Sequence, residues 1–373
     1  MAALQPEDTA TLAEPVLVQA AVTRAPGGIE AAMRHYHRMA TALGLSTLAL
    51  YRGPASAALA GDGIAPLPMP GPVARGWPGP GLWAPGLARR VAARVGGRRV
   101  LAVVHSDLAL PAVRRLLAPA AGAVIAAPCH SDKADRKRDA DLAITLNPAQ
   151  HATVSRVLAG SGCTAALLGN PYVGRARPVP VPVPLPVPVP PAGRPRRFVF
   201  AARFTPVKAP LDAIRAHAAL SDPPPLVMIG DGPERAAAEA AAGPGVTFAG
   251  WLADPWGEIG PADVLLLPSS WEGLPYLLLE ALERGVPVIA SDIGGNRAAL
   301  GDGAYGALYP AGDTAALAAA MAAAAGEIGP LAARAQAGGA ALADRYGATA
   351  FWQRLLAAAE ATGRWARAGG AAA

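Results

Sequence analysis

A proline stands at every second position from Pro178 to Pro190, in the run PVPVPVPLPVPVPP that ends at Pro191. Proline lacks a backbone N–H and has a fixed φ, so this run can form neither a helix nor a central strand. An extended, polyproline-like spacer is the expected structure. The run therefore divides the 373-residue chain into two parts, each long enough for a domain. A role as a ligand for an aromatic-groove domain stays open as an alternative.

Short apolar runs alternate with helix-type patterns on both sides of the proline-rich run. They are apolar without polar alternation, as in strands that are buried on both faces. Strands that alternate with helices predict parallel sheets flanked by helices, an α/β fold. The predicted strands are 16–22, 47–51, 100–104, 123–127, 142–146, 198–201, 226–229, 246–248, 264–267 and 286–290.

The predicted organisation has four parts. Residues 1–173 form an N-terminal Rossmann-like domain, 174–193 a proline-rich linker, and 194–347 a C-terminal domain. Residues 348–373 follow, and their helical pattern carries an apolar stripe that needs a surface to cover. The sequence leaves open which domain supplies that surface.

The charge balance and the cysteines narrow the class of protein. The chain has 33 Lys and Arg against 27 Asp and Glu, a net charge of +6 and a pI near 9.7. This balance favours anionic partners such as phosphates or anionic lipid surfaces. Aromatic residues do not interleave with the basic ones, so nucleic acid is not expected as a partner. The two cysteines match no disulfide or metal spacing, and a cytoplasmic location is expected.

Residues 1–14 contain three acids, no Lys or Arg and no apolar core, a pattern that is not typical of a signal peptide. No stretch approaches the roughly 20 uncharged apolar residues of a membrane span. Any membrane association is therefore expected to be peripheral.

The segment from Ala262 to Leu282 combines a buried strand, a polar turn and a helix. Glu272 lies in the turn, and Gly273-Leu274-Pro275 follow it. Glu280 comes about two helical turns later between leucines, where a carboxylate is costly to bury without hydrogen-bond partners. Sugar or ribose hydroxyls are suitable partners, and a solvated helix face is the alternative. The turn follows a strand of a parallel sheet, where open α/β sheets bind ligands.

Three further turns follow predicted strands. Arg203 and Lys208 are two cations, five residues apart, that could neutralise a diphosphate; two surface cations are the alternative. Gly230-Asp231-Gly232-Pro233 is a strand-to-helix turn, for which a purely structural role is the simpler interpretation. The third turn is 291–296, SDIGGN.

In this order, these elements resemble the retaining glycosyltransferases of the GT-B fold, of the family-four type. That family shows an Arg and a Lys after the first strand of its C-terminal domain, a GDGP turn, an aDvlllPS strand and a pair of glutamates in E-x7-E. A PVIASDxGGN turn and a GxLxP strand follow. The matching stretch covers about 110 residues, from Arg203 to Pro310. The resemblance implies two Rossmann-like domains that face each other across a cleft.

The N-terminal half resembles the family more loosely. The run 26–30, PGGIE, resembles the first glycine loop of the family and contains Gly28. His105 and His130 each follow a predicted strand, and His130 resembles the histidine that reaches the transferred sugar. A satisfied core or surface histidine is the alternative for each. The helix after the loop carries one apolar face: Ile29, Met33, Tyr36, Ala40 and Leu43.

The resemblance also implies roles for the site residues. Glu272 binds hydroxyls of the donor sugar, Glu280 binds the nucleotide ribose, and Arg203 with Lys208 stabilises the departing diphosphate. The expected catalytic residues are thus Glu272, His130, Arg203 and Lys208. The expected donor-binding residues are Glu280, Gly273, Leu274, Pro275, Gly230 and Gly28. No cofactor and no metal are expected, because the two cations replace a metal, and the DxD run 139–141 is interpreted as structural.

The sequence departs from the family at three points. Ala202 and Ala209 stand where the family usually has glycine. After 294–296, GGN, the family often has a glutamate, but Arg297 and two alanines follow here. Gly273-Leu274-Pro275 replaces the common Gly-Phe-Gly, a variant found in enzymes that build polysaccharides and glycolipids.

Taken together, the sequence predicts transfer of a hexose-type sugar from a nucleotide-diphosphate donor to a glycan or lipid-linked acceptor. A catalytically silent partner protein and a nucleotide-sugar epimerase remain as alternatives. Two basic clusters could attract anionic lipid at the inner face of a membrane, or are solvated surface charge. They are Lys133, Arg136, Lys137 and Arg138, and Arg34 with Arg38.

Overall fold

A computed structural model of the chain describes residues 15–23, 27–69, 85–118, 122–131, 133–174 and 193–365. The chain divides into two compact units, and each is described by itself. The N-terminal unit comprises Met1–Val173 with Ala343–Ala373, and the C-terminal unit comprises Gly174–Leu342. The proline-rich run 178–191 lies outside the described residues.

The described part of the N-terminal unit contains a parallel sheet of seven strands in the order β3-β2-β1-β4-β5-β6-β7. The two central strands, β1 and β4, are almost wholly buried, as their uninterrupted apolar sequences require. The strands are β1 Val16–Val22, β2 Thr47–Arg52, β3 Leu67–Pro68, β4 Val100–Val104, β5 Ala123–Pro128, β6 Leu142–Thr145 and β7 Thr164–Leu167.

Helices connect these strands: α1 Gly28–Ala42, α2 Ser56–Gly61, α3 Pro85–Val95, α4 Leu110–Leu117 and α5 Pro148–Leu158. Helix α1 turns its apolar face inward, because Met33, Tyr36 and Ala40 are fully buried. The predicted face of this helix is confirmed.

The described part of the C-terminal unit contains a second parallel sheet, in the order β10-β9-β8-β11-β12-β13. Its strands are β8 Arg197–Ala201, β9 Leu226–Ile229, β10 Val246–Gly250, β11 Asp263–Leu267, β12 Val288–Ser291 and β13 Ala307–Tyr309. The remaining helices are α6 Pro210–Ala218, α7 Arg235–Ala241, α8 Tyr276–Glu283, α9 Gly294–Ala299, α10 Thr314–Gly326, α11 Gly329–Tyr346 and α12 Ala348–Glu360.

The last helix, α12, belongs to the N-terminal unit. Its Phe351 ring packs edge-on against Tyr36 of α1, with 5.5 Å between ring centroids. Trp352 and Leu355 are fully buried. The backbone N–H of Tyr172 donates to the carbonyl of Tyr346 at 2.8 Å, which fixes the chain just before α12 to the same unit. The surface that the apolar stripe covers is therefore α1.

The α/β fold with two Rossmann-like units is confirmed, and all ten predicted strands are present with small changes at their ends. The predicted strand 286–290 differs most at its start, because β12 begins at Val288. The apolar pattern does not predict β3, β7 or β13, and β13 is expected only as the GxLxP strand of the family resemblance. β3 has only two residues, one of them Pro68, and β7 is an edge strand with a weakly apolar sequence, Thr-Ala-Ala-Leu.

The basic clusters differ from their prediction in one respect. Lys137 is only 1% exposed and pairs with Asp107, so the interpretation as lipid-facing or solvated charge is wrong for this residue. Arg34 pairs with Asp62 at the surface. Among the described helices, none has by itself the length and apolarity that a bilayer crossing requires. Thr314–Gly326 and Gly329–Glu360 meet that requirement only as a pair, by length and composition, and the pair is bent by 99°.

Candidate functional site

Two turns meet at the carboxyl edge of the C-terminal sheet. Strands β8 and β11 are neighbours, so the turns that follow them lie side by side. The backbone N–H of Ser270 donates to the carbonyl of Val207 at 2.8 Å and joins the two turns. The ammonium of Lys208 donates to Oε1 of Glu272 at 2.5 Å. The structure thus brings together two of the predicted catalytic residues.

A second side chain also holds the Glu272 carboxylate. It is 9% exposed, and the Ser269 hydroxyl donates to its Oε1 at 2.8 Å. The Ser291 hydroxyl, at the end of β12, donates to the Ser269 carbonyl at 2.5 Å. A Cβ at Gly295 would lie 2.4 Å from the Glu272 carbonyl, so only glycine permits this close approach. The turn after β12 therefore fixes the Glu272 loop.

The residues after Glu272 lead into α8. Gly273 and Leu274 are buried, and Pro275 is partly exposed. Pro275 precedes the first residue of α8, and its carbonyl accepts the N–H of Leu278 at 3.1 Å. These predicted donor-binding residues therefore form the entry of the helix that carries Glu280. Their contact with a donor stays a prediction.

Arg203 projects from the turn after β8 and is exposed. The turn is anchored by Phe204, which is fully buried and whose N–H donates to the Asp231 carbonyl at 2.9 Å. Gly230 has a φ of 131°, and a Cβ there would lie 1.9 Å from the Ala202 carbonyl. The GDGP turn thus packs directly against the turn that carries Arg203. This contact gives Gly230 a structural role, whereas its role in donor binding stays a prediction.

Ala209 lies in the left-handed region, with φ 49° and ψ 53°. This conformation costs an L-residue with a Cβ about 1–2 kcal/mol. Ala209 follows Lys208 directly and precedes α6, so the strained residue determines how the chain leaves the Lys208 turn. The position is one of the two at which the family usually has glycine.

Glu280 is only partly exposed and its carboxylate has a hydrogen-bond partner, which argues against a fully solvated helix face. The indole N–H of Trp256 donates to Oε2 of Glu280 at 2.7 Å. The Arg284 guanidinium lies over the Trp256 ring at 4.6 Å and donates to the Glu280 carbonyl at 2.9 Å. Trp256 was missed by the sequence analysis, because a contact across 24 residues leaves no local signal.

The glutamate that the family often has after the GGN turn is replaced by Arg297. This arginine pairs with Asp292, the second residue of the same turn, and lies 3.6 Å from Asp302. In place of the expected carboxylate, this position therefore holds an arginine that forms ion pairs at the surface.

The N-terminal unit holds a second polar cluster at the ends of β4 and β5. His105 is 2% exposed, and its Nδ1 lies 3.2 Å from Nε2 of His130. Its Nε2 lies 3.3 Å from Oε1 of Gln19 on β1. Burial and the nearby Lys137 cation lower the pKa of His130 to about 3, and burial lowers the pKa of His105 well below its usual range. Both imidazoles are therefore neutral at physiological pH.

Lys137 ties the two histidine turns together. Its ammonium pairs with Asp107, two residues after His105, and donates to the Pro128 carbonyl at 2.9 Å, two residues before His130. A buried ammonium requires such partners. The sequence does not predict this role, since four cations within residues 133–138 resemble an exposed surface.

Gly28 opens α1 beside the predicted glycine loop, and a Cβ there would meet no described atom within 4 Å. The described part of the loop is held by Glu30, which is 1% exposed and accepts the Gly27 N–H at 2.9 Å. Tyr51 also donates to Glu30, at 2.9 Å. Packing within the described residues therefore does not require glycine at position 28.

The DxD run is structural where it is buried. Asp141 is 2% exposed and accepts the Ile125 N–H at 2.9 Å and an Arg114 N–H at 3.0 Å. This carboxylate fixes the start of β6 against β5, as the sequence interpretation proposed.

Most of the C-terminal unit is similar to one family of known proteins. Residues 195–326 match the family model described as "Glycosyl transferases group 1". A 47-residue stretch is 47% identical to the UDP-Gal:alpha-D-GlcNAc-diphosphoundecaprenol alpha-1,3-galactosyltransferase of Escherichia coli, covering 13% of this chain and 12% of that protein. A 116-residue stretch is 36% identical to the phosphatidyl-myo-inositol mannosyltransferase of Mycobacterium leprae (strain TN), covering 30% and 31%. These matches span under a third of the length of either relative.

Solved structures resemble nearly the whole chain. HepE of Anabaena, in complex with UDP, matches with a TM-score of 0.69 and 18% identity over 93% of this chain and 100% of that one. The apo form of the lipopolysaccharide outer core galactosyltransferase WaaB matches with a TM-score of 0.64 and 16% identity over 93% and 99%. At these identities the likeness shows the fold, which is that of the GT-B glycosyltransferases.

Proposed function

We propose that this chain, which carries a glycosyl transferases group 1 domain at residues 195–326, transfers a hexose-type sugar from a nucleotide-diphosphate donor to a glycan or lipid-linked acceptor. The contact between Lys208 and Glu272 carries the proposal. It holds a cation for diphosphate and a carboxylate for sugar hydroxyls at the carboxyl edge of a parallel sheet, where α/β proteins bind ligands.

The chemistry follows from the charges at this edge. When the bond between sugar and diphosphate breaks, negative charge develops on the leaving phosphate oxygen. In this proposal Lys208 and the exposed Arg203 stabilise that charge in place of a metal ion. Electrostatic groups of this kind contribute about a hundredfold or more each to the rate. Glu272 and Glu280 hold the donor sugar and the ribose.

We propose retention of the anomeric configuration, as the family resemblance implies. Glu272 pairs with Lys208 and accepts from Ser269, and Glu280 accepts from Trp256. In this proposal both carboxylates bind hydroxyls of the donor and do not act as the acid and nucleophile of a glycosidase. The acceptor hydroxyl attacks the sugar on the face from which the diphosphate leaves. Its proton passes to the leaving phosphate oxygen. The neutral His130 imidazole contacts a hydroxyl of the transferred sugar.

The acceptor is proposed to be a glycan or a lipid-linked sugar of polysaccharide, lipopolysaccharide or glycolipid synthesis. Two of the relatives are named for lipid-linked acceptors, diphosphoundecaprenol and phosphatidyl-myo-inositol. A cytoplasmic location, peripheral on the inner face of a membrane, fits such an acceptor. The exposed cations Lys133 and Arg136 are candidates for contact with anionic lipid.

A catalytically silent partner protein is the second candidate. Three observations favour it: Ala209 is strained, Ala202 replaces a second glycine, and Arg297 occupies the place of a glutamate. Such a protein would bind the nucleotide without turnover.

The test measures nucleoside diphosphate release from a panel of UDP-, GDP- and ADP-sugars, with EDTA, and with and without membrane extract as an acceptor source. The full chain is compared with Glu272→Gln and with Glu239→Gln, a matched control at an exposed carboxylate of α7. We expect slow release from one donor, faster with extract, that is lost in Glu272→Gln and kept in Glu239→Gln. Nucleotide binding without release from any donor would favour the silent partner, and conversion of a donor to its epimer without acceptor would favour an epimerase.

A further inference from the structure

The two histidines and Gln19 form a hydrogen-bonded chain of three side chains. It starts at Gln19 in the middle of β1, passes through His105 at the end of β4, and ends at His130 after β5. Gln19 and His105 are 1% and 2% exposed, whereas His130 is partly exposed. The three hydrogen-bonded side chains therefore lead from the core of the sheet to the His130 ring, which solvent or a ligand reaches.

These two hydrogen bonds determine which nitrogen of each imidazole carries its proton. The Gln19 Oε1 atom only accepts, so Nε2 of His105 carries the proton. In a neutral imidazole the other nitrogen then accepts, so Nδ1 of His105 takes a hydrogen bond from Nε2–H of His130. Nδ1 of His130 is left as an acceptor, and no described residue hydrogen-bonds it.

The ion pair between the buried Lys137 and the partly exposed Asp107 keeps these three side chains in place. It joins the turn after β4 to the turn after β5, and the Gln150 amide donates to the Cys129 carbonyl at 2.8 Å, next to His130. The Lys137 cation opposes a third proton on the histidine pair, in agreement with the lowered pKa values of both rings. The alternation of donors and acceptors requires both imidazoles to be neutral.

We infer that Gln19 and His105 are positioning residues that hold His130 in a single tautomer, with the proton on Nε2 and a free lone pair on Nδ1. His130 then recognises a hydroxyl that donates a hydrogen bond, and rejects a group that only accepts. This assignment rests on the proposed function, in which that hydroxyl belongs to the sugar substrate. The tautomer itself is a property of the free protein and does not depend on turnover.

The first test is ¹⁵N NMR of the full chain labelled at histidine, without donor. The chain has six histidines, and the His130 signals are assigned by their loss in His130→Asn. We expect one protonated Nε2 and one unprotonated Nδ1 at His130. Gln19→Met removes the acceptor with little change of volume and should give a mixture of tautomers, whereas Gln19→Glu, which still accepts, should keep the single one. A proton on Nδ1 in the wild type, or an unchanged tautomer in Gln19→Met, would overturn the inference.

The second test is kinetic. Gln19→Met should lower kcat by about tenfold, because a transition state that loses about one hydrogen bond is reached about tenfold more slowly. The KM for the donor should change less. Gln19→Glu should recover most of that loss. Equal loss in both variants with lowered melting temperatures would indicate a merely structural role and contradict the inference. If the wild type transfers no sugar, the proposed function fails, and the NMR result still decides the tautomer.

Discussion

The ammonium of Lys208 and the carboxylate of Glu272 lie 2.5 Å apart although 64 residues separate them in the sequence. The two side chains come from the turns after neighbouring strands β8 and β11. Each side chain neutralises the charge of the other. In the proposed function a nucleotide sugar offers a diphosphate to Lys208 and hydroxyls to Glu272, so donor binding would replace one partly buried ion pair with two sets of contacts.

Replacing Lys208 tests this exchange. Lys208→Met should lower kcat about a hundredfold, because it removes a cation from the developing charge of the leaving diphosphate. Arg215→Gln, at an exposed cation of α6, is the matched control and should leave kcat unchanged. Steady-state release of nucleoside diphosphate measures both. Equal rates for Lys208→Met and wild type would remove Lys208 from the catalytic residues.

The strain at Ala209 predicts a stabilising substitution. Ala209→Gly relieves a left-handed residue and should raise the free energy of unfolding by about 0.5–1 kcal/mol, after the greater entropy of glycine in the unfolded chain is subtracted. Ala202→Gly is the control, since the φ of Ala202 is not positive and no gain is expected. Guanidinium unfolding of both variants checks the difference. A loss of stability in Ala209→Gly would contradict the strain.

Position 28 separates a ligand role from a packing role. Because no described atom lies within 4 Å of a Cβ there, Gly28→Ala should leave stability unchanged or raise it by up to about 1 kcal/mol through helix propensity. If Gly28 approaches the donor as predicted, the same variant should raise KM for the donor. Unfolding curves and donor kinetics measured together decide this, and an unchanged KM would exclude Gly28 from the donor site.

The bond from Trp256 to Glu280 predicts a donor-affinity effect. Trp256→Phe keeps an aromatic ring beside Arg284 but removes the indole N–H, and should weaken donor binding by about three- to tenfold, the worth of one hydrogen bond. Trp251→Phe is the control, since Trp251 is 68% exposed. Titration calorimetry with the donor's nucleoside diphosphate measures both. Equal weakening in the two variants would point away from Glu280.

The histidine pair predicts how stability depends on pH. Both folded-state pKa values are lowered, that of His130 to about 3, while the unfolded chain binds protons near pH 6.5. Stability from the neutral rings is therefore fully present above pH 6.5 and falls as the pH decreases towards 3, by up to about 1.4 kcal/mol per pH unit for each histidine. His105→Gln should flatten the decline between pH 6.5 and 5 relative to wild type. Parallel curves from urea unfolding would contradict the assignment.

The sequence predicted the fold well because buried parallel strands have uninterrupted apolar runs, as in β4 and β11. The family resemblance also assigned Lys208 and Glu272 to one donor site, and the two side chains do lie together. The sequence did not predict the burial of Lys137 or the bond from Trp256 to Glu280, because such contacts depend on tertiary packing and leave no periodic signal.

The most direct test of the proposed function follows the products by ¹H NMR once a donor is found. Wild-type protein, the α-linked nucleotide sugar and the acceptor are mixed, and the anomeric proton of the new glycoside is followed against release of the nucleoside diphosphate. We predict one α-linked product for each nucleoside diphosphate released, and neither in Glu272→Gln. A β-linked product, an epimerised donor or no product at all with nucleotide still bound would contradict a retaining glycosyltransferase.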